Sequence, residues 1–372
     1  MNSLHQAQRL VAHCGPSDYG IPRSPECSVG GLLKVKVCLA GTESPPDEAR
    51  KVMAHNLLPI LARKCEVMFF DLQRLFSVDE WEKVKAFKPD VLHSITAASP
   101  FSFLLTRILQ RRAKSPKTVI FSPLIPFRGF SSGLWFGLSS LFEPLVPLLK
   151  TDLVLTQSDE AEATYSRLGC NVMSLVYSGV DLKRFHPVSK REKEELRVRH
   201  EVESDKFVVL HVGAVKSSRN LECLRKIQSD SNNQVLLVGR PSTKYEHKVA
   251  TALGKAGVVV TQAYNPRIEE FYALSDCYIF PTTDAAGSID IPLSVLEAMA
   301  CGLPVVSTRF GGLPRIFSEA DGFCYADVEE FPDRLKVLKS QGAAVKTREL
   351  VVPYSWENVA QNLLNVYEGL LS

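Results

Sequence analysis

The chain has 372 residues, 45% of them hydrophobic and 23% charged, which is enough for two hydrophobic cores and unlike the low-hydropathy, high-charge balance of a disordered chain. A formal net charge of +3 excludes the dense Lys/Arg surface of a nucleic-acid binder, so no nucleic-acid partner is expected. Nine cysteines without C-x-x-C spacing read as reduced thiols, not disulfide staples or zinc ligands.

Residues 1–33 show neither a secretory signal nor a transit-peptide pattern and are expected to form a poorly ordered leader. With the reduced thiols, this points to the cytoplasm. From residue 34 short β-branched runs alternate with longer amphipathic segments, the pattern of parallel strands joined by crossover helices. The first series of strands is expected at VKVCLA (35–40), EVMFF (66–70), DVLH (90–93), TVIFS (118–122) and LVLT (153–156). A charged stretch, 189–205, ends it. The second series follows at FVVLHVG (207–213), QVLLVG (234–239), GVVVT (257–261), CYIF (277–280) and PVVST (304–308). The expected fold is therefore α/β, two Rossmann-like doubly wound parallel-sheet domains, 34–180 and 181–354, facing a cleft, with a last helix over 355–372. Ligands of such sheets sit outside the carboxyl ends of the strands, so the cleft is the expected working site. No apolar run reaches the ~20 residues of a membrane span; the nearest, 129–149, is interrupted by Glu143, Pro144 and Pro147.

The most informative stretch is FPTTDAAGSIDIPLSVLEAMACGLPVVSTRFGGLPRIF, residues 280–317. It reads as strand, polar glycine-containing loop, short helix, strand. The helix is expected over 292–300, with Asp290 or Ser288 as its cap and Gly302 and Pro304 closing it. Its amino end would aim N–H groups and the positive end of its dipole at the cleft, where a pyrophosphate binds well. Glu297 lies near that end. A Glu in an apolar helix is equally at home bonding a neighbouring backbone group, so the helix alone does not separate the two readings.

The same stretch resembles the nucleotide-sugar site of the family 4 retaining glycosyltransferases (glycosyltransferase group 1), which have the GT-B fold. LEAMACGLPVVST (296–308) followed by GGLP (311–314) carries the resemblance, and KPDVLH (88–93), YSGVDLKRFHP (177–187), YALSDCYIFPT (272–282) and SWENVAQNLLNVYEGLL (355–371) extend it over most of the chain after residue 34. The resemblance implies a sugar moved from a nucleotide diphosphate sugar to a glycan, lipid or small-molecule acceptor, with retention. It implies that Glu297 binds the donor ribose and that Ser288, Ile289, Pro292, Leu293 and Ser294 lie against the donor sugar and phosphates. HVGAVKSSRN (211–220) is similar to the family's diphosphate loop, which implies roles for Gly213, for Arg219 at the usual Lys position, and for Lys216. With those cations and no Asp-x-Asp motif, no metal and no cofactor beyond the nucleotide-sugar co-substrate is expected.

Three positions depart from the family pattern. Ile289 stands where a second glutamate usually contacts the transferred sugar, Ala214 where an Arg is usual, and IFSPLIP (120–126) lacks a frequent His. Asp290, next to Ile289, is the candidate substitute for the missing carboxylate. His93 and Glu43 are weaker candidates for an acceptor or sugar contact, with a hydrogen-bonded structural residue and a surface charge as their alternatives. Base contacts are expected around 263–265, and RILQRRAKSPK (107–117), basic beside apolar residues, is a candidate for peripheral membrane contact. A non-catalytic nucleotide-sugar-binding subunit, or another GT-B activity such as sugar-nucleotide epimerisation, is the rival reading.

Overall fold

The computed structural model describes residues 33–41, 49–95, 100–114, 117–122, 146–149, 151–239, 245–262, 267–320, 322–341 and 345–372. The expected leader lies outside these residues except for Leu33, where the first strand begins. Strands β1 (Leu33–Gly41), β2 (Cys65–Asp71), β3 (Val91–Ser94), β4 (Lys117–Ser122), β5 (Leu153–Thr156) and β6 (Val172–Ser174) form one sheet in the order β2-β1-β3-β4-β5-β6. Strands β7 (Phe207–Val212), β8 (Asn233–Gly239), β9 (Val259–Gln262), β10 (Cys277–Phe280), β11 (Val305–Ser307) and β12 (Phe323–Tyr325) form the other, in the order β12-β11-β10-β7-β8-β9. Neighbouring strands run parallel throughout.

These strands are apolar on both faces because helices cover both. Val208, Leu210 and Val212 of β7 enter one core and Val209 between them enters another. The ten expected strands are all present. β6 and β12 were not expected: each has three residues, each is outermost in its sheet, and β6 is half exposed. The charged stretch folds as a helix, Lys190–Arg199, capped by Ser189 and held to the second sheet where Arg197 meets Asp276 at 2.6 Å and Lys193 meets it at 2.7 Å. The cysteines are free wherever they are described. Among the described residues no helix is long and apolar enough to cross a membrane.

The chain passes between the two sheets twice, and the passages lie side by side. Val180 N–H donates to the Tyr354 carbonyl (3.0 Å) and Trp356 N–H to the Val180 carbonyl (3.2 Å). Gly179 permits this approach, since a methyl group there would stand 2.6 Å from the Trp356 ring. Beside them Asp181 accepts from the amides of Lys183 and Arg184, Arg184 pairs with Glu269, and Arg348 caps the carbonyls of Leu182 and Phe185. The last helix, Trp356–Leu371, then returns to the first sheet, where Lys64 bonds Gln361 and the buried Tyr367 hydroxyl shares a 2.6 Å hydrogen bond with His93 Nδ1. Tyr367→Phe should lower unfolding free energy by about 1–2 kcal/mol in urea titration, because it leaves a buried imidazole nitrogen without its partner. An unchanged midpoint would mean that the bond does not hold the helix.

Candidate functional site

In the second sheet the strand order reverses between β7 and β10, and in a doubly wound sheet the ligand crevice lies at such a point, beyond the carboxyl ends of the strands. The loop after β7 begins at Gly213, turns through a 3-10 segment, Ser217–Arg219, and ends at Asn220 in the left-handed region. Asn220 Nδ2 donates to the Pro281 carbonyl (3.0 Å) and to Thr283 Oγ1 (2.7 Å), joining this loop to the one that follows β10. Arg219 crosses the same gap: its Nε donates to the Gly287 carbonyl at 3.0 Å. The guanidinium packs against Gly213, where an added methyl carbon would come within 1.9 Å of Nη1. Gly213→Ala should therefore displace Arg219 without removing its charge, and ligand titration should show donor affinity falling about tenfold, the loss of one charge-assisted hydrogen bond. Undiminished affinity would separate Arg219 from the donor. Lys216 is half-buried at the start of the 3-10 turn.

The helix after β10 spans Leu293–Ala300, one residue shorter than expected. Pro292 is its N-cap, extended at φ −65° and ψ 122°, and no side chain caps the first turn. Neither Ser288 nor Asp290 does so, which corrects the expectation. An uncapped first turn keeps its N–H groups for a ligand. Two hydroxyls fix the helix's buried face: Tyr278 donates to Ser294 Oγ at 2.7 Å and Tyr272 to Glu297 Oε2 at 2.6 Å. Glu297 is only 5% exposed. A phenol thus helps to aim it, and a carboxylate has lone pairs enough to accept from other hydroxyls as well. Tyr272 and Tyr278 lie in YALSDCYIFPT and Asn220 ends HVGAVKSSRN, but the sequence assigned them no role, since their roles depend on which rings and loops meet in space.

Asp290 is placed otherwise than expected. Its carboxylate is buried and accepts from Ser158 Oγ of the first domain at 2.7 Å, not from anything in the β7–β10 crevice. Burial pushes it up to about 7, and Glu160 adds to the rise. Ile289 packs into the core with Leu293, while Ser288 is half-buried. His93 is fully buried between Phe121 and Tyr367, and desolvation lowers it to about 3, which keeps it neutral. This is its structural alternative, a bridge between the first sheet and the last helix. Its counterpart His211, at the end of β7, is likewise lowered to about 3 by burial and by Arg219, and bonds the Ile279 carbonyl. Glu43, the 263–265 segment and most of 129–149 lie outside the described residues. In the basic stretch, Arg111 and Arg112 are exposed at the end of the helix Pro100–Ala113, Arg112 resting 4.8 Å over the Trp81 ring.

Residues 206–340, which hold both loops and the helix, match the family model described as glycosyl transferases group 1. That segment belongs to the group 1 glycosyltransferases. Curated relatives extend the likeness beyond it. The sulfoquinovosyl transferase SQD2 of Arabidopsis thaliana is 26% identical over 72% of this chain and 53% of its own length, and spore coat protein SA of Bacillus subtilis is 29% identical over 52% and 58%. The chain thus spans somewhat more than half the length of these relatives. Among solved structures, Anabaena HepE in complex with UDP and glucose superposes with a TM-score of 0.67 at 15% identity, over 90% of this chain and all of that one. The sucrose-phosphate synthase of Thermosynechococcus elongatus superposes with 0.70 at 17% identity, over 91% and 99%. The group 1 segment therefore sits in a GT-B fold.

Proposed function

We propose that the protein is a retaining, metal-independent glycosyltransferase, transferring a hexose from a nucleotide diphosphate sugar bound at the β7–β10 crevice. The observation that carries this reading is the meeting of three features inside the group 1 segment: Arg219 laid over Gly213, an uncapped helix start, and Glu297 fixed by Tyr272. Breaking the sugar–phosphate bond leaves negative charge on the diphosphate. Arg219, Lys216 and the first amides of the helix Leu293–Ala300 would stabilise that charge before it forms, so the barrier falls without a metal. Glu297 would hold the ribose. The acceptor hydroxyl would attack from the face that the diphosphate leaves, and a phosphate oxygen would take its proton, so no protein base is assigned. The complexes of Anabaena HepE with UDP and with UDP-glucose favour a UDP sugar as the first donor to try.

The acceptor is a glycan, a lipid or a small molecule. The location proposed is the cytoplasm, with Arg111 and Arg112 as the place for any contact with anionic lipid. Turnover of a nucleotide-sugar panel, with and without a chelator, tests the reading, and proton NMR of the product's anomeric centre tests retention. Turnover only with added divalent metal would overturn the metal-independent mechanism, and an inverted product the retaining one. Because Ile289 and Asp290 both turn away from the crevice, binding without turnover would favour the nucleotide-sugar-binding subunit instead.

A further inference from the structure

Asp290 stands at a contact between the two domains, and its surroundings are built for that contact. β5 ends at Thr156 and is followed by Gln157, Ser158 and the helix Asp159–Arg167. Gln157 Oε1 accepts from the amides of Tyr177 (2.9 Å) and Ser178 (2.8 Å), fixing the end of β5 to the first passage between domains. Gly311 and Gly312 pass between this corner and Asp290. A methyl group on Gly311 would stand 2.3 Å from the Asp290 carbonyl oxygen, and one on Gly312 would stand 2.1 Å from the Gln157 carbonyl oxygen. Only two glycines fit.

Ser158 uses its hydroxyl twice. It accepts from the Ala161 amide at 3.3 Å as the helix cap and donates to Asp290 Oδ2 at 2.7 Å. On the other side of Asp290, the Gly312 amide donates to its carbonyl oxygen at 2.9 Å. Arg315 reinforces the same contact by pairing with Asp159 (3.1 Å) and Glu162 (2.7 Å). Asp290 is two residues from Pro292, where the helix begins, and three from Gly287, whose carbonyl holds Arg219. Whatever moves Asp290 moves both.

We propose that Asp290 is a positioning residue for the donor: through Ser158 it holds residues 287–292, and with them Arg219 and the helix start, in place when the first domain is docked. The proposal rests on the reading of the β7–β10 crevice as a donor site. It predicts a dependence on pH, because burial raises the carboxyl to about 7 while the hydrogen bond from Ser158 opposes the rise. Of the charged groups on the adjoining helix, Glu160 raises it further, while Asp159 and Glu162 are paired with Arg315. The docked carboxyl keeps a proton that a solvated carboxylate, at the ordinary 3.8, has released. Docking is therefore fully favoured below the ordinary carboxylate range and weakens as pH rises through about 7.

The test is donor KM and kcat for the wild type, Asp290→Asn and Ser158→Ala across about pH 5.5 to 8.5. Wild-type KM should rise about tenfold over that range with kcat nearly constant. Asp290→Asn, neutral throughout and still able to accept from Ser158, should show a flat and low KM. Ser158→Ala should show a KM raised about tenfold at the acid end, the loss of one buried hydrogen bond. Persistence of the wild-type pH dependence in Asp290→Asn, or an unchanged KM in Ser158→Ala, would overturn the proposal. Hydrogen-exchange protection of the Ala161 and Gly312 amides, corrected for intrinsic rates, reads docking without any donor. Protection that falls with rising pH in the wild type but not in Asp290→Asn supports docking even if no nucleotide sugar binds, in which case only the donor reading fails. Protection independent of pH in both overturns the proposal.

Discussion

Glu297→Ala should abolish the thermal stabilisation that a nucleotide sugar confers on the wild type. At a hundred times the dissociation constant that stabilisation is about 2.7 kcal/mol, and it depends on binding to the folded state alone. The variant also removes the acceptor of the buried Tyr272 hydroxyl, at a cost of about 1–3 kcal/mol without ligand. Loss of stability and loss of binding are therefore confounded in this variant, and Tyr272→Phe separates them. It removes the hydroxyl but leaves the carboxylate, so ligand stabilisation should survive at reduced affinity. A Glu297→Ala protein that still gains its full melting shift would show that the ribose is held elsewhere.

The second large effect is expected on rate. Arg219→Ala should lower kcat by about 10²–10³, or roughly 2.7–4 kcal/mol, the usual cost of removing one preorganised donor aimed at developing negative charge. Product formation at saturating donor measures it. Lysine should not restore the rate. The arginine is held at Nε by the Gly287 carbonyl while the far end of its guanidinium covers Gly213, and an ammonium group has no planar fork with which to do both. If Arg219→Ala kept more than about a third of the wild-type kcat, the leaving diphosphate would be stabilised elsewhere. Lys216→Ala is the next variant to examine, since Lys216 begins the turn that presents Arg219.

Much of this was legible in the sequence. The ten expected strands announced themselves because both faces of a parallel sheet are buried and their residues are correspondingly apolar. Gly213, Arg219 and Glu297 were singled out through the resemblance of their motifs to the group 1 family, motifs that are legible because a phosphate loop and a helix start are local in the chain. β6 and β12, three-residue strands at the sheet edges, escaped. Asp290 is a different case. Its neighbours in sequence place it beside the helix start, but its hydrogen-bond partner is Ser158, 132 residues away.

The sequence by itself determined what is local and repetitive: the alternation of strands and helices, the division into two sheets, and the segment that belongs to the group 1 glycosyltransferases. Only the tertiary structure decided which side chains aim at one another across that frame. Tyr272 on Glu297, Tyr367 on His93 and Ser158 on Asp290 join residues 25, 274 and 132 apart in the chain. Such pairs are set by how helices dock on sheets and how one domain meets the other. A buried polar atom must find its partner wherever that packing places one, and no local pattern records the place.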